Sequence, residues 1–237
     1  MTIIKKDVIT STNEFIKENF ESFDNYTIVT ANYQTKGKGR LSRTWQANNG
    51  ENIIMSLLVK EFKTRTDLNL LSLVAGGSVH KFLNKYTNNL YIKWPNDILV
   101  DNLKISGILL EGKINNNSKM IVIGIGININ QTIFNEDINN LTTSLKKITE
   151  TSYDIDILIN ELSNILISDI DEFLNGNNSY LDYVKDNLYG LNQEITYIKN
   201  DSLCEGIILG IDNEGRLIVK ENNEILYINS GEIKIKR

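Results

Sequence analysis

Apolar and polar positions follow two rhythms along this chain, and the change between them divides it. Residues 3–9 and 26–31 alternate as strands do, whereas 52–59 (NIIMSLLV) and 120–129 (MIVIGIGINI) are almost continuously apolar, as expected of strands covered on both faces. Residues 67–86 repeat Leu, Val and Phe at helical spacing, and Gly76-Gly77 within them predicts close packing against a neighbour. Residues 98–100, a turn at Asp101-Asn102 and residues 104–111 predict a hairpin. A short helix is predicted over 143–148, an amphipathic one over 154–174, and further helix over 180–188. After Gly190 the runs shorten. Strands at 194–199, 203–211, 216–220, 224–228 and 232–236 are punctuated by turns at Asn200-Asp201, 212–215 and Asn222-Asn223. This texture predicts a small five-stranded barrel of the SH3 kind, so that the chain divides into residues 1–188 and 189–237. No internal repeat is present.

Two local signals refine the picture. Ser11 follows the first strand and has Glu14 three residues on, the pattern of a capping box opening a helix that carries Phe15, Ile16 and Phe20. Free N–H groups beside two hydroxyls also suit a polar ligand head, so Ser11 carries two readings, helix cap or ligand contact. Pro95 is the only proline. It fixes its own φ and pushes Trp94 to extended geometry, so a strand ends there and Asn96-Asp97 are presented at a turn.

Composition then excludes several chemistries. The 237 residues carry a net charge of −5, one cysteine (Cys204) and one histidine (His80). No intrachain disulfide, cysteine-rich metal site or Ser-His-Asp triad can be assembled economically from these, and His80 is expected to be an ordinary helix residue. No apolar run reaches the roughly 18 residues of a membrane span, and a cytoplasmic soluble protein is expected. The asparagine cluster 115–117 reads as loop composition. An acidic balance argues against a general nucleic-acid binder.

Against that balance stands Tyr33 to Trp45, YQTKGKGRLSRTW, with Lys36, Lys38, Arg40 and Arg43 on a backbone punctuated by Gly37 and Gly39, and no Asp or Glu between Asp24 and Glu51. Glycines let main-chain N–H groups approach a ligand, and the cations supply charge-assisted bonds to phosphate or carboxylate. A solvated basic loop is the competing reading. The loop lacks the GK[ST] ending of a Walker A motif, and Gly124-Ile125-Gly126 has no third glycine for a dinucleotide fingerprint. Lys104, at a strand start beside Ser106-Gly107, reads first as surface charge from spacing alone, with catalysis as the alternative.

Five stretches in order resemble the biotin protein ligases, the enzymes that attach biotin to the carrier domain of biotin-dependent carboxylases. Ser11-Thr12-Asn13 matches the family's STN, residues 37–45 its GRGRRGRxW, and Lys93-Trp94-Pro95-Asn96-Asp97 its KWPND. Lys104 to Gly107 matches KxxG, and Gly124 to Asn128 matches GxGxN. The closing residues 230–236 resemble the family's GGEISLR. The resemblance covers nearly the whole chain. It implies an α/β (α+β) catalytic domain related to class II aminoacyl-tRNA synthetases, with a mostly antiparallel sheet and an SH3-like C-terminal domain.

It also implies a chemistry and a set of roles. Biotin and ATP give biotinoyl-adenylate and pyrophosphate with Mg²⁺, and a carrier lysine then takes the biotinoyl group. By resemblance Arg40 and Lys104 are the catalytic residues. Ser11, Thr12, Asn13, Gln34, Lys38, Gly39, Arg40, Lys104 and Gly107 would bind biotin. Lys38, Arg40, Arg43, Trp45, Asn52, Lys93, Asp97 and Asn128 would bind ATP, with Asp97 as the Mg²⁺ ligand. The partner would be a biotin carboxyl carrier domain, with neither nucleic acid nor membrane, and the chain a monomer or a homodimer. Some relatives carry a winged helix; the ten residues before Ser11 predict a form that does not bind operator DNA. Loop 36–50 is expected to order on ligand binding. The sequence departs from the family at Lys38, which loses an arginine's bidentate fork, at Leu41-Ser42 in place of Arg-Gly, and at Lys236 in place of a C-terminal arginine. A lipoate ligase of the same fold and a non-catalytic biotin sensor are the rival readings.

Overall fold

The computed structural model describes residues 1–62, 68–114, 119–199, 202–229 and 233–235. The asparagine cluster 115–117, the turn Asn200-Asp201 and the ends of the closing motif, with Lys236, lie outside them. A seven-stranded sheet forms the body, built from β1 (Thr2–Ile9), β2 (Thr27–Gln34), β3 (Asn52–Val59), β4 (Leu90–Lys93), β5 (Asp97–Val100), β6 (Leu103–Ile114) and β7 (Lys119–Asn128). Its order is β1-β2-β3-β7-β6-β5-β4. Only β1 and β2 run parallel; every other neighbour is antiparallel, as expected.

Burial follows the apolar rhythm. All eight residues of β3 are buried, as are Ile121, Val122, Ile123, Ile125 and Ile127 of β7. One face is covered by α2 (Leu68–Leu83), α5 (Ile155–Leu174) and α6 (Ser179–Asp186), whose inward leucines, isoleucines and valines join the main core. Leu158, Ile159, Leu162, Leu166 and Ile170 of α5 recur at helical spacing on that buried side. A Cβ added at Gly77 would stand 3.7 Å from Tyr183 and Val184 of α6, and one at Gly76 3.8 Å from Ile92, ordinary contacts, so the packing there does not require the close approach predicted from the Gly-Gly pair. The opposite face is met by α1 (Thr12–Asn19), where Ile16 packs on Val29, Leu58, Met120 and Val122.

The last strands are β8 (Glu194–Lys199), β9 (Ser202–Ile211), β10 (Leu217–Glu221), β11 (Glu224–Ile228) and β12 (Ile233–Ile235). They form an antiparallel five-stranded sheet of order β11-β10-β9-β8-β12. The final strand thus returns beside the first. The two sheets share a core, because Ile195, Tyr197, Ile208, Leu217 and Val219 belong to the same apolar cluster as α2 and β4. Trp94 stitches them polar atom to polar atom, donating its Nε1–H to the Gly215 carbonyl at 2.9 Å.

Three further expectations need correction. Ser11 does occupy the N-cap of α1, but its hydroxyl makes no capping bond, and Glu14 turns away to Lys17 and Lys38; ion pairing took the carboxylate from the box. The helix predicted to Leu188 stops at Asp186, since Leu188 bridges to Ile92 and extends the sheet edge. A one-turn helix, α3 (Glu136–Asn139), was not foreseen; α4 (Leu145–Thr149) was, and its N-cap Ser144 accepts from Lys147.

Candidate active site

The parallel pairing of β1 and β2 sends both strands to the same end of the sheet. Thr35 and Lys36 donate their N–H groups to Ile9 and Thr10, both at 2.9 Å, so the segment entering α1 and the segment entering the basic loop leave side by side. The basic loop is itself a hairpin. Trp45 N–H bonds to Gly37 O at 3.1 Å, Gly39 N–H to Arg43 O at 2.8 Å, and Arg43 N–H to Arg40 O at 3.1 Å. Leu41 and Ser42 form its tip with φ of +53° and +61°, the two left-handed positions of a type I′ turn. Together with Leu109 and Glu111 the hairpin lines a cleft of about 730 Å³.

The floor of this region is β7, used as a ruler. Side chains on one face recur every two residues, about 7 Å apart, and Gly124, Gly126 and Asn128 define three successive rows. In the first row Ser56 stands opposite Gly124, which stands opposite Leu109. The absent side chain of Gly124 makes room for Asn13, since a Cβ there would come within 2.5 Å of Asn13 Oδ1. Ser56 Oγ lies 2.6 Å from both Thr12 Oγ1 and Asn13 Oδ1. Gln34 Oε1 accepts from Thr12 N–H at 2.7 Å and from its hydroxyl at 3.0 Å. Ser11, Thr12 and Asn13 are all buried, so this row is a dry cluster of hydrogen-bonding groups.

In the second row Gly126 stands opposite Gly107, and Gly107 opposite Asp97. Trp45 lies on these glycines: a Cβ on Gly107 would reach its Cζ3 at 3.2 Å, and one on Gly126 would reach its Cζ2 at 2.6 Å. Lys104 Nζ sits 5.7 Å from the Trp45 ring centroid and 2.7 Å from Asp97 Oδ1. The turn predicted at Pro95 delivers Asn96, whose Oδ1 accepts from Arg40 at 3.1 Å while its Nδ2 donates to Ile108 O at 2.8 Å. Lys93 closes β4 as the partner of Asp97. Arg40, Asn96, Asp97, Lys104 and Trp45, scattered over 65 positions of sequence, are thereby one cationic cluster with a single carboxylate.

The third row pairs Asn52 with Asn128. Asn52 is held from both ends, accepting from Ile129 N–H at 3.0 Å and donating to Gln131 Oε1 at 2.5 Å. Asn128 donates to Thr143 O at 3.0 Å, and its buried Oδ1 has no hydrogen-bond partner among the described residues. The stretch after Trp45, expected to be flexible, is tied to this row by Asn48 N–H donating to Gln131 Oε1 at 3.0 Å.

Lys38 and Arg43, both singled out in the sequence, line the cleft from exposed positions. Lys38 is half-exposed and ion-paired with Glu14. The hydrogen bond from Lys17, and after it that from Lys38, holds the Glu14 carboxyl below its ordinary value. Arg43 and Gly39 line the cleft from the two arms of the hairpin. Sequence reasoning missed Ser56, Glu111 and Gln131. Ser56 and Glu111 reach these rows through strand register, by the pairings Ser56–Gly124 and Glu111–Val122, and Gln131 from the loop after β7.

Comparison with known proteins agrees with this arrangement. Residues 190–235 match the Biotin protein ligase C terminal domain. A Bifunctional ligase/repressor BirA of Bacillus subtilis is 28% identical over 239 residues, covering 98% of this chain and 74% of the relative. A Biotin--[acetyl-CoA-carboxylase] ligase of Mycobacterium tuberculosis is 27% identical over 212 residues, covering 87% and 77% respectively. The structure of the biotin protein ligase from Aquifex aeolicus in complex with biotin and ATP superposes with a TM-score of 0.88 at 27% identity, over 100% of this chain and 99% of that one. All three rows are framed by residues 11–128, and a match to residues 6–128, more than half of the chain, spans them: this protein belongs to the Biotin/lipoate A/B protein ligase family.

Proposed function

We propose that the chain is a biotin protein ligase, which activates biotin with ATP and transfers it to a lysine of a carboxylase's carrier domain. The observation that carries this is the spacing of the rows on β7. A dry hydrogen-bonding row lies one side-chain repeat from a cationic row, which suits an acid whose polar ureido head is separated from its carboxylate by a short aliphatic tail. Lipoate has no such head, and leaving buried donors and acceptors unpaired penalises it.

The chemistry follows from the rows. The carboxylate must meet another anion, the α-phosphate, and Arg40 and Lys104 lower that repulsion. Asp97 and Asn96 hold these two cations in place, so little reorganisation is required as charge develops. The carboxylate oxygen bonds to the α-phosphorus, and the bond to the bridging oxygen breaks to release pyrophosphate. The uncharged amine of the carrier lysine then attacks the acyl carbon and AMP leaves with the bonding pair. Trp45 covers the acid's tail and the base, while Asn52 and Asn128 in the third row face the adenosine. Among the described residues no group of three or more His, Cys, Asp or Glu gathers as a metal cage. Asp97 alone, with the unpartnered Asn128 Oδ1 two residues along β7 from Gly126, fits a Mg²⁺ carried by the nucleotide phosphates. When bound, that ion would screen the phosphate charge.

Among the described residues no helix is long and apolar enough to cross a membrane. A cytoplasmic setting, where ATP and carboxylases are available, suits the activity. Pyrophosphate release from ATP and Mg²⁺ is expected with biotin and not with lipoate, and Lys104→Ala should lower it by about 10²–10³. Release with lipoate instead would transfer the assignment. Tight calorimetric binding of biotin with no release would make the chain a sensor.

A further inference from the structure

We infer that Glu111, on β6, is a positioning residue that sets the hydrogen-bond polarity of the head-group row and thereby its affinity for the acid. The inference rests on the biotin reading above. Glu111 Oε2 accepts from Asn13 Nδ2 at 2.8 Å and Oε1 accepts from Lys17 Nζ at 2.8 Å. A carboxylate can only accept, so it fixes which end of the Asn13 amide faces it. Asn13 Oδ1 must then face Ser56, and since an amide oxygen cannot donate, the single Ser56 proton goes to it. The Ser56 oxygen is thereby left as an acceptor, so the single Thr12 hydroxyl proton is shared between Ser56 at 2.6 Å and Gln34 Oε1 at 3.0 Å, while the Thr12 N–H donates to Gln34 Oε1 at 2.7 Å. That N–H, a donor in any case, holds the Gln34 oxygen and turns Gln34 Nε2 toward the basic loop, 3.1 Å from where a Cβ on Gly37 would stand. One carboxylate, outside the five family motifs, so dictates the direction of the side-chain bonds from Glu111 through Asn13 and Ser56 to the Thr12 hydroxyl.

The same carboxylate is the inner end of a charge ladder. Lys17 also pairs with Glu14 at 2.6 Å, and Glu14 pairs with Lys38 of the hairpin. The head-group row and the basic loop are therefore tied through alternating charges rather than through backbone alone.

Replacing Glu111 by its isostere tests polarity without changing shape. In Glu111→Gln the new amide can present its oxygen to Lys17 or to Asn13, but not to both. With the oxygen on Lys17, two NH₂ groups face each other, Asn13 flips, and the direction of the row reverses. Biotin affinity by calorimetry is expected to fall about tenfold or more, with the KM for ATP unchanged. Lys17→Met combined with Glu111→Gln frees the new amide oxygen to accept from Asn13 Nδ2 and restores the direction of the row, so affinity should return to within about threefold of the parent, an effect that simple loss of structure would not give. Unchanged biotin affinity in Glu111→Gln, or a double variant no better than the single one, would overturn the inference. Loss of the folded state in both variants, seen as loss of a thermal transition, would assign the row to stability and overturn it as well. Failure of the parent chain itself to bind biotin would remove the functional reading and the inference together.

Discussion

Gly126 shows how much of this site is made by leaving atoms out. Its missing side chain is the seat of the Trp45 ring, and an added Cβ would lie far inside any real contact with the indole. Gly126→Ala must therefore tilt Trp45 away from the floor it shares with Gly107. Misplacements of about 1 Å near reacting groups cost on the order of 10²-fold, so kcat/KM for ATP is expected to drop by about that factor. The displacement has its own readout. The chain has two tryptophans and Trp94 is buried, so a red-shifted emission on this substitution reports Trp45 alone. Unchanged emission and unchanged turnover would contradict this placement of the ring. Gly124 and Gly126 stand two apart in the apolar run 120–129, a spacing that puts both on one face of that strand. What occupies the room they leave is not legible there, because Trp45 and Asn13 reach it from about 80 and 110 residues away.

At the scale of single elements, the basic hairpin carries a conformational cost that its sequence does not relieve. Both tip residues are left-handed, yet neither Leu41 nor Ser42 is glycine or asparagine, and such geometry costs an L-residue about 1 kcal/mol or more. Ser42→Gly should favour the closed hairpin by about 1 kcal/mol, which corresponds to roughly fivefold slower tryptic cleavage at Arg40 and Arg43. Equal or faster cleavage would mean that the tip is not formed in solution as described. The strands were the elements most legible from sequence. Residues 52–59 and 98–100 were read to the residue or nearly so, because continuous apolar runs and an Asp-Asn turn leave few alternatives. The capping box was misread for a physical reason: Glu14 has two cations within reach in three dimensions, and only one of them, Lys17, is local.

On the scale of the whole molecule, α2, α6 and β4 are pinned together by a buried histidine. The Leu90 carbonyl accepts from His80 Nε2 at 3.2 Å, which leaves Nδ1 to accept from the Tyr183 hydroxyl at 2.8 Å. Burial holds this imidazole below its ordinary value of 6.5. The unfolded chain therefore takes up the proton first, and stability is full above about pH 6.5 and falls as pH drops through that value toward the folded one. Thermal midpoints should decline between pH 6.5 and 5, before carboxylates begin to titrate, with a slope of at most about 1.4 kcal/mol per pH unit. His80→Gln should flatten that slope; an unaltered profile would place the proton uptake elsewhere. The division near residue 188, which we propose as a domain boundary, was readable from the change of rhythm, but the joint between the parts was not. Trp94 belongs to a motif of the site and yet bonds to Gly215 in the turn between β9 and β10 of the C-terminal sheet. The order of strands has a final consequence for how the protein is made. β3, apolar but for Asn52 and Ser56, is hydrogen-bonded on one side to β7, which leaves the ribosome some 60 residues later. Throughout that interval its open edge is a template for pairing with other chains, so the strand that lies beside the floor of the site is also a segment exposed to aggregation during synthesis.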